Sequence, residues 1–379
     1  MDTSKGSGLK EATIKLIKES VEKYNDRRFI SIYRNVGFKI AHELISNVKE
    51  NKNEVISIIV PMYGEMDISR LETFLVSTKQ QKDVHMEVIL AEQTFDVERY
   101  IDIAKKYGVT YVCDHVDENV NGKHFNPGRI RNVGIEKSTG QFIYAADSDV
   151  VYPDLYYMSK VVSILKDYPD TFLVWPKMKH LLIENQTTLH KDFLNNPEWD
   201  SMAKNFIKHG KWAVEYITDN ITKHEAIPFR EMMIGDRRMI MREKDYIDYS
   251  NNLDKFRGWD PVWLMSCRHD GAIAARRTHI DIVGGYSEAF YRWGYEDFDL
   301  QWKLSEFFCQ ISLENISDFE TIHLDHNKGW FDKLLFERNS GIHWQRREKG
   351  IAGAIIFDVM ENRSNYAKRL RTHWHINLG

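Results

Sequence analysis

Cysteine is scarce in this chain: Cys113, Cys267 and Cys309 are spread over 379 residues. An odd number at such wide spacing excludes a disulfide framework as the source of stability. Long apolar runs are missing as well. No stretch of 18 or more apolar residues occurs, and the opening MDTSKGSGLKEATIKLIKES lacks the apolar core of a signal peptide. The sequence therefore reads as soluble and cytoplasmic, with no transmembrane segment. Charge of one sign is also lacking. Lys and Arg number 52 against 56 Asp and Glu, and the formal net charge of −4 gives no sign of general nucleic-acid affinity. Finally, no glycine-rich phosphate loop follows the first strand-like run, which disfavours P-loop and dinucleotide folds. Internal repeats and low-complexity segments are absent too.

What is present is ordinary globular material. At 42% hydrophobic and 28% charged residues, the chain can bury one large core with additions, or two. Aromatics make up 12%, with ten Trp; this suits rings that stack on sugars and suits a large core equally well.

Helical periodicity runs through residues 9–48, from Ile14, Leu16, Ile17 and Val21 to Leu44 and Ile45, and marks residues 1–52 as a helical N-terminal extension. The character changes at Val55. VISIIVPMY (55–63) is a continuous apolar run, as expected of a strand buried on both faces. A helical pattern at 68–80 follows, then a strand at 86–93. Next comes a helix over DVERYIDIAKKYG, with Asp96 as N-cap and Gly108 as stop. A strand at 109–116, a helix at 127–140 and a strand at 141–150 complete the series. This βαβαβαβ alternation predicts an open, mostly parallel α/β sheet with helices on both faces and ligands at the carboxyl ends of the strands. Glu92, Gln93 and the D-S-D of 147–149 fall at those ends.

From about 180 to 260 the regularity breaks down into a polar stretch studded with Trp199, Trp212 and Trp259. Its length predicts helices covering the site. Strand character returns at 271–277, 309–315 and 320–326, and the tail from Trp330 reads as helical.

Asp147 and Asp149 end an apolar strand two residues apart, so their side chains would project to one side. A divalent cation would relieve their repulsion; a solvated strand end is the competing reading. TIHLDH adds His323, Asp325 and His326, and together with the aspartates this makes a mixed N/O set suited to Mn2+. In extended chain His323 and Asp325 share a face while His326 points away.

WGYEDFDL (293–300) sets Glu296, Asp297 and Asp299 among Trp293, Tyr295, Phe298 and Leu300. One of these carboxylates would be a general base beside an aromatic platform that receives a hydroxyl-bearing acceptor. The alternative is an acidic helix N-terminus, favoured by the helix dipole. In HFNPGRIRNVGIEKSTG, Arg129 and Arg131 stand near a helix start, where they would meet phosphate oxygens or pair with surface acids.

In this order, the pieces resemble a GT-A glycosyltransferase of the family 2 type. SIIVPMYGE resembles the first nucleotide-binding strand and loop, and FNPGRIRNVGI…STGQFIYAADSDV resembles the helix, strand and D-x-D that follow in the family. VGGYSEAFYRWGYEDFDL is similar to a segment shared by bacterial chondroitin-polymerase domains and animal β-1,4-galactosyltransferases. The resemblance covers roughly residues 55–330. It implies a GT-A open mixed sheet over 53–330: a nucleotide-sugar half (53–150), an insertion covering the acceptor site (180–260), an acceptor and catalytic half (265–330), and then a helical tail (331–379).

The resemblance implies further that Pro61, Tyr63 and Glu92 line the nucleotide pocket, and that Arg131, Asp147 and Asp149 serve the nucleotide-sugar. Asp149 with His326, His323 or both would hold Mn2+ (or Mg2+). Asp297 would be the acceptor-activating base and Glu296 its hydroxyl-binding neighbour, with Trp293 and Tyr295 also on the acceptor. Replacing Asp299, two residues on, should be milder than replacing Asp297. The expected activity is metal-dependent, inverting transfer of a hexose or N-acetylhexosamine from a UDP-sugar donor to a carbohydrate or glycoconjugate acceptor, in polysaccharide or glycoconjugate biosynthesis. The chain lacks the Q-x-x-R-W motif and membrane helices of processive synthases, which counts against a membrane-extruding polymerase and leaves peripheral membrane association open. The alternatives are a nucleotidyltransferase and a non-catalytic carbohydrate- or nucleotide-sugar-binding protein on the same fold.

Overall fold

The computed structural model describes residues 11–28, 54–64, 68–116, 124–181, 229–234, 237–242, 264–269, 271–314, 316, 318–324 and 332–373. The first half follows the expected alternation. Strands β1 (Val55–Tyr63), β2 (His85–Thr94), β3 (Thr110–His115) and β4 (Phe142–Ala145) are linked by helices α2 (Ile68–Lys79), α3 (Ile101–Tyr107) and α4 (Pro127–Lys137); α1 (Glu11–Arg28) precedes them. β1 pairs in parallel with β2 and β4, and β2 with β3.

The sheet then turns mixed. After β5 (Val150–Val151) and α5 (Tyr157–Asp167) come β6 (Thr171–Val174), β7 (Lys177–Leu181), β8 (Phe229–Ile234), β9 (Arg237–Arg242), β10 (Leu264–Arg268) and β11 (Ile273–Arg276). Next follow α6 (Arg277–Ile282), α7 (Glu296–Ser305), β12 (Cys309–Ser312), β13 (Glu320–Leu324), α8 (Lys333–Glu361) and α9 (Asn365–His373). β11 inserts antiparallel between β4 and β6, giving a seven-stranded order β12-β6-β11-β4-β1-β2-β3. A second sheet has the order β5-β13-β7-β10-β9-β8.

The apolar run of β1 is explained by two cores, one on each face of the first sheet. Ile56, Ile58, Val60 and Met62 pack with Leu71, Phe74 and Leu75 of α2 and with Val161 and Ile164 of α5. Ile59 faces the other way, with Ile135 of α4, Leu300 and Leu304 of α7, and Ile355, Val359, Tyr366 and Leu370 of α8 and α9. α1 is tied to the sheet edge: Ile17 joins the first core, Thr13 Oγ1 donates to Asp318 Oδ2 at 2.5 Å, and Cys309 Sγ of β12 lies 3.6 Å from the Ser20 carbonyl.

Three expectations need correction. The helix expected from Asp96 begins at Ile101, because the backbone N–H groups of Arg99 and Tyr100 turn onto the buried Glu92 carboxylate instead of starting a helix. Gly108 is its stop, in the left-handed conformation at φ 58°. The strand expected over 141–150 is two strands in different sheets, with residues 146–149 crossing between them. Asp147 and Asp149 sit in that crossing, where strand periodicity no longer puts them on one side. Within the 180–260 stretch, expected to be helical, the described residues 229–234 and 237–242 form an antiparallel hairpin in the second sheet. Trp199, Trp212 and Trp259 lie outside the described residues. Asp299 is fully buried and bonded to Arg346 at 2.9 and 3.0 Å.

Candidate active site

Helix α4 begins cleanly because Pro127 occupies its first turn and the Asn126 side chain accepts the Arg129 N–H at 2.9 Å. Its outward face is stitched to residues 286–288. Asn126 Nδ2 donates to the Glu288 carbonyl at 2.7 Å, while Asn132 Nδ2 donates to the Tyr286 carbonyl and Asn132 Oδ1 accepts the Tyr286 N–H, both at 2.9 Å. Gly128 permits the approach: a Cβ there would lie 2.3 Å from the Ser287 carbonyl oxygen. The chain beyond this loop reverses through three left-handed residues, Arg292 (φ 61°), Gly294 (φ 104°) and Tyr295 (φ 75°), before entering α7. Non-glycine residues in that region cost about 1–3 kcal/mol each, so packing must hold the bend. Tyr295 is braced by the Phe336 ring, 5.2 Å away, and Trp293 stacks on Phe336 at 5.5 Å with its own face 40% exposed.

This bend aims the first turn of α7 at α4. Arg131 is buried, with Nη1 3.1 Å from Glu296 Oε1 and 3.5 Å from Asp297 Oδ1, and Nη2 3.2 Å from Asp147 Oδ1. Burial works against its charge, but Asp297, Glu296 and Asp147 more than offset this and raise its pKa. Arg131 thus pairs with buried acids and not surface ones, one guanidinium facing three carboxylates from two separate segments. Arg129 pairs with Asp114 at 2.6 Å. The other Asp147 oxygen is 2.8 Å from His269 Nε2. Burial opposes ionisation of Asp147, yet the His269 hydrogen bond and the Arg131 charge hold its carboxyl below the usual range.

Asp297 goes the other way. Burial first, then the Glu296 and Asp147 carboxylates, push its carboxyl well above the usual range against the pull of Arg131. Gly271 lies beside these acids. A Cβ on it would stand 2.9 Å from Asp147 Oδ2, 3.4 Å from Asp297 Oδ2 and 3.5 Å from His269 Nε2, so glycine keeps this space open.

A second pair lies across the sheet crossing. Pairing of β13 with β5, and the Leu324 N–H bonded to the Asp149 carbonyl at 2.7 Å, bring His323 Nε2 to 3.5 Å from Asp149 Oδ2. An imidazole nitrogen and a carboxylate oxygen form a donor pair that suits Mn2+ or Mg2+, with water completing the shell. His326 lies outside the described residues.

At the end of β1, Tyr63 stacks on Phe125 at 5.0 Å and meets Phe95 edge-on at 6.2 Å, with the Arg292 guanidinium 5.7 Å from its ring. Pro61 lies two residues earlier on β1, opposite Ala91 of β2. Glu92 is buried, and its oxygens are taken by the Arg99 and Tyr100 N–H groups and the Tyr111 hydroxyl. His269 and Gly271 escaped the sequence reading. Their only local signal is the RHDG that leads into the apolar strand β11.

Comparisons with known proteins agree with this architecture. Residues 57–234 match the family described as glycosyl transferase family 2, and residues 263–326 match the N-terminal domain of galactosyltransferase. A chondroitin synthase of Pasteurella multocida is 24% identical over 256 residues, covering 67% of this chain and 23% of the relative. An uncharacterised glycosyltransferase of Rickettsia bellii is 25% identical over 182 residues, covering 45% of this chain and 24% of the relative. The chain thus spans about a quarter of the length of either. A solved mannosyltransferase of Pyrobaculum calidifontis, in complex with GDP-Man and Mn2+, is 12% identical at a TM-score of 0.42, with 96% of this chain and 88% of that one covered. The two matched segments are joined in one mixed sheet, where β11 of the second pairs with β4 of the first, so the chain is similar to glycosyltransferases in which a family 2 domain is continued by a galactosyltransferase-type segment.

Proposed function

We propose that the chain transfers a hexose or N-acetylhexosamine from a UDP-sugar to a hydroxyl group of a carbohydrate or glycoconjugate acceptor, in one metal-dependent, inverting displacement. The observation that carries this reading is the Arg131 hub. One buried guanidinium joins Asp147, on the sheet crossing, to Glu296 and Asp297, at the start of α7. Donor-side and acceptor-side acids are thereby held around the space that Gly271 leaves open.

In this reading Asp149 and His323 hold the divalent ion, which when bound neutralises charge on the departing diphosphate. Tyr63 and Phe125 offer ring faces to the base, with Pro61 beside them. Asp147 is kept ionised by His269 and Arg131, so it accepts hydrogen bonds from donor hydroxyls. Trp293 and Tyr295 offer an aromatic surface to the acceptor, and Glu296 accepts from a sugar hydroxyl. Asp297 takes the acceptor O–H proton as that oxygen bonds to the anomeric carbon. The bond from that carbon to the diphosphate oxygen breaks, and UDP leaves with its electron pair. A carboxyl pushed upward is suited to this, because proton transfer is most effective when the base is matched to the working pH. Likeness to a chondroitin synthase supports a saccharide product. Among the described residues no helix is long and apolar enough to cross a membrane.

The test is UDP release across a panel of UDP-sugars with Mn2+ and saccharide acceptors, with and without EDTA. Asp149→Ala should abolish Mn2+-dependent UDP-sugar binding while far-UV circular dichroism stays unchanged. Full turnover in excess EDTA, or undiminished binding by that variant, would remove the metal from the mechanism. Thermal stabilisation by UDP-sugar without turnover on any acceptor would favour a binding protein instead.

A further inference from the structure

The edge strand β3 carries another group of metal-type side chains, one that sugar transfer does not use. Tyr111, Cys113 and His115 alternate along β3 and therefore project from one face of the sheet. Glu92 is opposite Cys113 in register, and its carboxylate clasps the loop that follows β2. It accepts the Arg99 N–H at 3.1 and 3.0 Å, the Tyr100 N–H at 3.4 Å and the Tyr111 hydroxyl at 2.6 Å.

The clasp sets Glu98 against the strand. Its Oε1 lies 3.2 Å from His115 Nε2, and the ligand atoms of Glu98, Cys113 and His115 all lie within 4.8 Å of one another. Bonds of about 2.0–2.3 Å to a tetrahedral ion put ligands roughly 3.3–3.8 Å apart, so the three groups need to close by only about 1 Å. A thiol, an imidazole and a carboxylate suit borderline-soft ions such as Zn2+ and Co2+, whereas Mn2+ and Mg2+ favour oxygen. Burial pushes the Cys113 thiol up to about 11 against the hydrogen bond from Tyr111, so the free thiol is protonated at neutral pH. Binding therefore releases that proton to solvent as the sulfur–metal bond forms.

We propose that Glu98, Cys113 and His115 form a zinc-class metal site, separate from Asp149 and His323, with a fourth position open to water. An ion there ties residues 95–100 to β3. Phe95, within that loop, packs edge-on against Tyr63 at 6.2 Å, so the ion and the aromatic group around Tyr63 share one loop.

Co2+ reports on the site because thiolate coordination gives a charge-transfer absorption that oxygen and nitrogen ligands do not. The full chain, stripped with EDTA and titrated with Co2+ alone, should develop this band as one equivalent binds, and Zn2+ should then abolish it. Cys113→Ser should remove the band, and Asp149→Ala, which dismantles the other site, should keep it. Glu98→Gln and His115→Asn should each weaken Co2+ binding by roughly tenfold or more. These two variants carry the test if Cys113→Ser does not fold. Absence of a thiolate band in the wild-type chain at excess Co2+ overturns the proposal. So does a band unchanged in Cys113→Ser, or an affinity untouched in both other variants.

Discussion

Asp297 is squeezed between groups that act on its proton in opposite senses, and burial with the two neighbouring carboxylates prevails over Arg131. If it is the base, it works only when ionised. The kcat/KM profile should then fall as pH drops through a value above the ordinary Asp pKa of about 3.9. A profile flat down to about pH 4 would contradict this assignment. Asp297→Asn keeps the shape but cannot take the proton. Turnover should drop by roughly 10²-fold or more, with UDP-sugar affinity nearly unchanged in a calorimetric titration, because the lost interaction belongs to the transition state. A variant within about tenfold of wild type would return the residue to a purely structural role. Gly271→Ala tests the space between the acids. Its Cβ would meet Asp147 Oδ2 at 2.9 Å, a contact that must push the carboxylate aside. Activity should fall by roughly tenfold or more, since misplacement of about 1 Å can cost that much, while the melting temperature changes little.

At the scale of the element, α7 sends its acids in two directions. Glu296 and Asp297 turn to Arg131, whereas Asp299 turns inward to a buried network. Arg346 bridges Asp299 and Asp358, the second bond being 2.6 Å. Lys303 donates to Asp358 and to the Gly285 carbonyl, both at 2.6 Å. Such a network adds little net stability over an apolar one, but removing one partner leaves buried charge uncompensated. Asp299→Asn should therefore lower stability by about 3–5 kcal/mol in urea unfolding. A deficit below about 1 kcal/mol would show the network to be dispensable. The effect has a pH signature. Burial opposes ionisation of Asp299, but the His343 hydrogen bond, Arg346 and Lys303 hold its carboxyl below the usual range. With the folded pKa below the unfolded one, its contribution is fully present above about pH 4 and is lost as pH falls through the folded value. The wild type's advantage over the variant should shrink accordingly in acid.

For the molecule as a whole, α8 and α9 act as part of the domain. They place Ile355, Val359, Tyr366 and Leu370 in the core on one face of the sheet, and Asn362 bonds the loop at Tyr286 and Glu288. Each such side chain contributes about 1.5–3 kcal/mol on burial, so four together rival a typical domain stability of about 5–15 kcal/mol. A chain ending at residue 331 should aggregate or lose its near-UV circular dichroism. A monomeric, folded truncation would show the two helices to be an appendage.

Local periodicity determines a good deal of this protein. The continuous apolar run of β1, the helical stripes of α2 and α4 and the glycine stop at Gly108 all act over a few residues, and so the alternating half of the sheet is legible in the sequence. The clustering of acids and histidines at strand ends is legible for the same reason. The partners of those groups are not. Arg131 meets Glu296 across 165 positions, and His269 meets Asp147 across 122, because β11 enters the sheet antiparallel to β4 and the loop at 284–288 is stitched to α4. The sequence likewise gives no hint that residues 146–149 leave one sheet for another, so that Asp147 meets Arg131 and His269 while Asp149 meets His323. A helix N-terminus at WGYEDFDL is one of the two readings the sequence offers, and α7 does start at Glu296, but nothing local reveals that Asp297 then turns to Arg131 and Asp299 to Arg346. Tertiary packing alone decides which charge faces which, since burial makes an unpaired charge costly and a partner from any distance along the chain can satisfy it.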